Sequence, residues 1–413
     1  MHNRPLAVDL FAGVGGMSLG FEQAGFDVAC AVEVDPVHCA AHMYNFPRTA
    51  VICRGVEDVT GEEVRAASGA GDRPISVVFG GSPCQGFSMI GKRSLDDPRN
   101  ALVLHFMRLV SEIGPDYFVL ENVKGLTVGK HRMFLDEVVS GFDASGYDVL
   151  LPWKVLNAAW YGVPQHRERL FIIGARRGLR LPSYPERRFN PAGGRAPDPS
   201  LPSGPGVIDA IGDLPDAEDF TELLFTDEAL AAFGAPSPYA AVLRGEAEDP
   251  QDFSHPRPSR PGLLTSSARA GHTELTRSRF AATEPGKVEP VSRFLRLHPG
   301  GVCNTLRAGT GKERGAFTAA RPIHPFHPRC VTVREMARLH SYPDWFRFNW
   351  TKWHGARQVG NSVPPLLARA VAAELMSAAG QVPVRPAEVM ALGDESLIRV
   401  DETSARKLLQ SNP

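Results

Sequence analysis

Short apolar runs alternate with amphipathic stretches through the first 175 residues. Leu6 to Phe11 is a continuous apolar run interrupted only by Asp9, which predicts a buried strand. The turn Ala12-Gly13-Val14-Gly15-Gly16 follows, and then an amphipathic helix to about Ala24. Asp27–Val32 reads as a second strand, and Asp35-Pro36 opens a helix with an N-cap followed by proline at the first position. Val51–Cys53 and Ile75–Phe79 are further strands, Ala101–Ile113 a helix, and Tyr117–Leu120 a strand. Met133–Ser145 then predicts a helix and Leu170–Ile173 a strand. Strands this short and apolar, interleaved with helices, predict a doubly wound, mostly parallel α/β sheet covered on both faces. Gln165–Arg169 enters its strand from the opposite end, next to an antiparallel partner within Val149–Leu156.

Beyond residue 180 the pattern weakens. Leu181–Gly206 is dense in proline and glycine, as in a linker. Helices are expected at Val207–Leu214 and Asp227–Phe233, followed by a turn-rich, loop-like region. Thr332 caps a helix that runs to Leu339, with Glu335 at the capping-box position. Gly360-Asn361-Ser362-Val363-Pro364-Pro365 opens a helix to about Ala379. The expected domains are therefore 1–180 with 340–380, a smaller loop-rich unit at 181–339, and a tail at 381–413 with little signal.

The net charge of −1 conceals a segregation. Residues 209–252 carry twelve acidic side chains against Arg244 alone, whereas 253–340 carry fifteen Lys/Arg, six His and five acids. The basic block fits a polyanion-binding face; compensation of the acidic block is the other reading. No apolar run approaches the roughly 18 residues of a membrane helix, and no signal-peptide core is visible at the start. A cytoplasmic, nucleoid-associated protein without membrane contact is expected. The six cysteines contain no Cys-x-x-Cys pair, so neither a metal site nor a disulfide framework is expected.

Two stretches carry candidate chemistry. In Gly80-Gly81-Ser82-Pro83-Cys84-Gln85-Gly86-Phe87-Ser88, proline fixes the backbone before a cysteine at a strand-to-loop corner. That suits a nucleophile in front of a loop, although a buried structural cysteine has the same composition. At the first strand, Gly13 and Gly15 match a dinucleotide fingerprint but Ser18 occupies the third glycine position, which argues against NAD or FAD. Glu33, twenty residues after Gly13, is placed to accept from ribose hydroxyls. An adenosine cofactor without pyrophosphate satisfies both facts; a plain tight turn is the alternative.

Taken together, Asp9–Gly16, Gly81–Ser88, Glu121-Asn122-Val123, Gln165-x-Arg167-x-Arg169, Arg334-Glu335-x-Ala337-Arg338-Leu339 and Gly360–Pro364 resemble the cytosine-C5 DNA methyltransferase family, in the family's order. The resemblance implies a methyltransferase (Rossmann-like) sheet with a target-recognition domain. It also implies methyl transfer from S-adenosyl-L-methionine to C5 of a flipped-out cytosine in a short duplex DNA sequence, leaving S-adenosyl-L-homocysteine. Cys84 becomes the nucleophile for cytosine C6, with Glu121 and Arg169 stabilising charge at N3 and O2 and Arg167 beside them. Phe11, Ala12, Gly13, Gly15, Gly16, Glu33, Val56, Pro83, Leu102, Asn361 and Ser362 are implied at the cofactor. Gln85, Ser88 and Lys92 are implied at the DNA, and Arg269, His272, Arg277, Arg279 and Arg307 are candidates in the basic block. The family's Gly-Asp at the end of the third strand is not matched: Gly55 stands where the acid would contact adenine, and Asp58 is the candidate substitute. A monomer with a companion restriction endonuclease is expected. The same chemistry on tRNA and a catalytically silent DNA-binding regulator are the rival readings; a nicotinamide oxidoreductase explains none of the later motifs.

Overall fold

The computed structural model describes residues 4–82, 101–127, 131–309 and 321–410. Five parallel strands carry the first half: β1 (Leu6–Leu10), β2 (Asp27–Val32), β3 (Ala50–Ile52), β4 (Ile75–Gly81) and β5 (Tyr117–Val123). Between them run α1 (Gly16–Gln23), α2 (Pro36–Asn45), α3 (Gly61–Ala67) and α4 (Ala101–Ile113). After α5 (His131–Ala144) the chain forms β6 (Tyr147–Val149), β7 (Lys154–Asn157) and β8 (Glu168–Arg176). The sheet order is β3-β2-β1-β4-β5-β8-β6, with β7 also on β8. β8 runs antiparallel to β5 and to both short strands. Reversing β8 brings its first residues to the carboxyl ends of the parallel strands, where ligands bind in such sheets.

Each face of the sheet has its own apolar layer. Val8, Leu10, Val78, Phe106, Phe118 and Phe142 lie on one side, and Phe21, Phe79, Val119, Ile173 and Val371 on the other. The second layer is closed by α11 (Pro365–Ala378), which packs on α1 so closely that a Cβ on Gly20 would lie 2.4 Å from Ala368 Cβ. A third apolar cluster joins Val14, Leu19 and Phe46 to Val207, Ile211, Leu306, Met336 and Val359. The later half of the chain thus shares a core with the glycine turn.

The helix over Thr332–Leu339 forms as the capping box predicts, with Thr332 and Glu335 bonded reciprocally. The helix expected at Asp227–Phe233 does not form. Ala229–Leu230 instead bridges to Leu263–Leu264, and Arg347 holds the Asp227 and Glu228 carboxylates. Leu230 is 80% exposed, while Ala229 beside it is buried in a small cluster with Leu223 and Leu264. The tail, weakly patterned in sequence, returns along α2: Gly393 N–H donates to the Tyr44 carbonyl, and α12 (Glu402–Gln410) packs against that helix.

Most of the charge segregation is spent internally. Arg338 is buried between Asp213 and Asp344, and Arg329 between Asp216 and Glu335. Glu335, inside this cluster, has its pKa held down to about 2 against its burial by Arg329 and His324. No described helix is long and apolar enough to cross a membrane.

Candidate active site

Two glycines end β4 for two different steric reasons. A Cβ on Gly80 would lie 2.0 Å from the Leu10 carbonyl oxygen, so the bare backbone lets β4 approach β1. A Cβ on Gly81 would lie 2.6 Å from Glu121 Oε2, so its absence makes room for that carboxyl. Gly81 and Glu121 face each other across the parallel β4–β5 ladder. Asn122 then secures the next residue: its side-chain amide donates to Ser82 Oγ at 2.9 Å and to the Ser82 carbonyl at 3.2 Å. Pro83, Cys84, Gln85, Ser88 and Lys92 lie outside the described residues.

Glu121 meets Arg169 because β8 is antiparallel. Arg169 lies opposite Val123 in the ladder, and its Nε donates to Glu121 Oε1 at 2.7 Å. Both side chains are nearly buried. Desolvation raises the Glu121 pKa above its ordinary value, against the lowering effect of Arg169 and Arg167. Burial thus eases protonation of this carboxyl, and once protonated it can donate a hydrogen bond as well as accept one.

Arg167, expected in the catalytic set, is buried behind this pair. Its Nη1 donates to the Leu306 carbonyl at 2.9 Å and its Nη2 to the Gly360 carbonyl at 2.8 Å. It ties the segment returning from the basic block to the end of α10 (Lys352–Asn361). Gly360 itself packs on the backbone of Arg307, 2.4 Å from where its Cβ would stand. Gln165, a residue of the same motif with no role assigned from sequence, supports this junction. Its Oε1 accepts from Leu306 N–H, and its amide donates to His340 Nδ1, which leaves His340 Nε2–H for the Ser362 carbonyl.

At the ends of β1 to β3 the expected cofactor residues converge. Glu33 accepts from the N–H groups of Gly13, Val34 and Asp35 at 2.8 to 3.0 Å, which fixes the glycine turn to the end of β2. Phe11 adopts φ +64°, rare for a bulky residue and a strain commonly stored at ligand sites. Phe11 and Leu102 pack on the same apolar cluster as buried Val56. Ala12 is buried beneath the turn, and Gly15, at φ +97°, caps α1. Gly16 abuts Ser362 Cβ and the Val363 carbonyl, so Ser362 borders the turn, while Asn361 is exposed at the helix end.

A second acid bears on the question posed by Gly55. The Glu57 carboxylate folds back over it, with both oxygens 2.5 to 2.7 Å from the position of a Gly55 Cβ. An acid therefore does stand where a side chain from residue 55 would project, and it belongs to Glu57. Arg54 leaves Glu57 alone, since it is committed to Glu63 and the Asp58 carbonyl. The sequence signal for Glu57 was the missing side chain two residues earlier.

The candidates in the basic block behave differently. Arg269 and Arg277 both approach Glu218, Arg279 approaches Glu289, and His272 Nε2 accepts from Cys330 N–H. Each thus has an intramolecular partner, and for Arg269 and Arg277 that partner lies in the acidic block. Arg307 is exposed, one residue from the Leu306 carbonyl that Arg167 holds.

Comparison with known proteins agrees with this geometry. The model of the C-5 cytosine-specific DNA methylase family matches residues 7–377. The Type II methyltransferase M.XorII of Xanthomonas oryzae pv. oryzae is 59% identical over 403 residues, 97% of this chain and 92% of that protein. M.AgeI of Thalassovita gelatinovora is 31% identical, covering 88% and 97%. Among solved structures, a prophage-encoded E. coli protein described as a DNA modification methyltransferase superposes with TM-score 0.73 at 31% identity, over 91% of this chain and all of that one. The S. pombe Dnmt2 methyltransferase, at 16% identity and TM-score 0.53 over 91% of this chain and 100% of its own, shares the fold. The chain belongs to the C-5 cytosine-specific DNA methylase family and is a DNA (cytosine-5) methyltransferase.

Proposed function

We propose that this enzyme methylates one cytosine of a short duplex DNA sequence through a covalent adduct between Cys84 and cytosine C6. The buried Glu121–Arg169 pair beside Ser82 carries this reading. Ser82 is fixed by Asn122, and Cys84 follows it by two residues in the sequence. The target atom is unreachable in a stacked duplex, so the base must be extruded. Addition of the Cys84 thiolate at C6 drives negative charge toward N3 and O2. Glu121, once protonated, donates to N3, and Arg169 holds O2, so the charge is stabilised where it develops. C5 becomes nucleophilic and accepts the methyl group. Loss of the C5 proton to water and expulsion of the thiolate then restore the ring.

S-adenosylmethionine, when bound, supplies an electrophilic methyl group on a sulfonium and leaves as S-adenosylhomocysteine. The residues at the ends of β1 to β3 fit it. Glu33 accepts from the ribose hydroxyls, Phe11, Val56 and Leu102 enclose the adenine, and Glu57 accepts from its amino group. Gly13–Gly16 and Ser362 border the methionine end. In this reading Arg167 is a positioning residue and not a catalytic one.

The relatives' Type II names support a place in a restriction-modification system with a companion endonuclease; that the enzyme acts as a cytoplasmic monomer belongs to the same proposal. Transfer of labelled methyl groups to duplex DNA and to tRNA tests the substrate: incorporation into DNA is expected, and incorporation into tRNA alone would overturn the proposal.

A further inference from the structure

Beside the Glu121–Arg169 pair lies an open cavity of about 500 Å3, walled in part by Lys124, Asn157, His166, Glu168, Arg169 and Thr305. Methyl transfer as described uses only Arg169 of these. His166 is secured on both sides of its backbone: its N–H donates to the Cys303 carbonyl at 2.8 Å, and its carbonyl accepts from Thr305 Oγ1 at 2.7 Å. Its ring is fixed as well. The Asn157 side-chain oxygen accepts from the N–H groups of Ala159 and Arg167 at 3.2 and 3.3 Å, so its NH2 is the group that meets His166 Nδ1 at 3.1 Å. Nδ1 is then an acceptor, and the proton of the neutral ring sits on Nε2. Partial burial lowers the His166 pKa and favours that neutral form. The exposed ring thus offers one oriented N–H donor.

Lys124 stands at the same cavity. It follows Val123, which pairs with Arg169, and its ammonium reaches both Glu168 oxygens at 3.0 and 3.1 Å. Both partners are about half exposed, and an ion pair of that kind is held weakly and exchanges readily. A bare carboxylate would repel DNA at this position, and Lys124 neutralises it.

We propose that the cavity seats a phosphodiester of the DNA backbone adjoining the extruded cytosine, bound by His166 Nε2–H and by Lys124, with Glu168 as the resident counter-charge that DNA displaces. This rests on the reading that Glu121 and Arg169 hold the cytosine. A phosphate prevails over Glu168 because it gains a second, pre-oriented donor and charge-assisted bonds with both.

The test scans target duplexes that each carry one neutral methylphosphonate at successive positions around the target cytosine. Wild-type enzyme should lose roughly tenfold in DNA affinity at one such position, the scale of a lost charge-assisted bond. His166→Ala and Lys124→Met should lose sensitivity at that position alone, with cofactor affinity unchanged. Glu168→Gln should tighten binding to DNA of any sequence. Lys124→Met should also reduce the slope of log affinity against log salt by about 0.9. Equal methylphosphonate sensitivity in all variants at every position, or weaker binding by Glu168→Gln, would overturn the proposal. Turnover by Glu121→Gln tests the underlying reading separately, because its loss upholds the catalytic pair whatever the phosphate scan gives.

Discussion

Gly81→Ala is expected to disable the enzyme while leaving its fold and its ligands in place. The added Cβ would stand 2.6 Å from Glu121 Oε2, inside van der Waals contact. Glu121 cannot swing away freely, since its other oxygen is paired with Arg169 at 2.7 Å and the carboxyl is buried. Relief by moving the strand is an overpacking cost of about 1–3 kcal/mol. Relief by moving the carboxyl misplaces it by about 1 Å, which costs on the order of a hundredfold in rate when a catalytic group is concerned. We predict a fall of about a hundredfold in kcat, a drop of several degrees in Tm, and DNA and cofactor affinities within about twofold of wild type. The assay is steady-state methyl transfer paired with binding titrations on the same preparation. Gly80→Ala is the control. Its Cβ would meet the Leu10 carbonyl oxygen at 2.0 Å, so it should destabilise the whole sheet, not the chemistry alone. Wild-type turnover by a folded Gly81→Ala protein would refute the account of Glu121.

Other variants probe the remaining parts. Glu57→Gln should weaken S-adenosylmethionine binding by roughly tenfold while Asp58→Asn changes it little, as read by calorimetry; the reverse order would restore Asp58 as the adenine partner. Gly55→Asp should not strengthen binding, because its side chain would displace the Glu57 carboxylate already there. Burial pushes the Asp9 pKa up to about 8 from 3.8, so its favourable contribution is complete below the unfolded value and is lost as pH rises toward 8. Asp9→Asn should therefore flatten the pH dependence of unfolding between about pH 4 and 8 in denaturant titrations. Glu335→Gln should cost about 1–3 kcal/mol by leaving Arg329 buried with Asp216 as its remaining carboxylate, and thermal melts would measure it.

Legibility in the sequence followed how local each constraint was. Strands β1 to β5 could be read because a sheet buried on both faces requires continuous apolar runs, whereas the short helix α3 was not read. The capping box at Thr332 was legible for the same reason, being contained within four residues. Glu121 and Arg169 were recognisable by motif, and the reversed entry of Gln165–Arg169 was read too, but the register that joins the two side chains is set by the β5–β8 ladder. Arg167 read as catalytic because it sits two residues from Arg169. Alternation along the strand sends both to one face, yet Arg167 precedes β8 and turns inward to two carbonyls. The partners of the basic block were illegible for a different reason. Composition counts charges but not their partners, and Glu218 and Glu289 lie too far along the chain for any local pattern to pair them with Arg277 and Arg279. Glu57 was hidden because its carboxylate fills the space of another residue's absent side chain.

The central claim is that Cys84 adds to C6 while Glu121 and Arg169 hold the ring. Duplex DNA with 5-fluorocytosine at the target position tests it most directly, because fluorine cannot leave C5 as a proton does and the adduct cannot resolve. With S-adenosylmethionine present, the enzyme should form a denaturant-stable complex whose peptide mass places the DNA on Cys84, and Cys84→Ala should form none. A complex attached to another residue, or active methyl transfer by Cys84→Ala, would contradict the account.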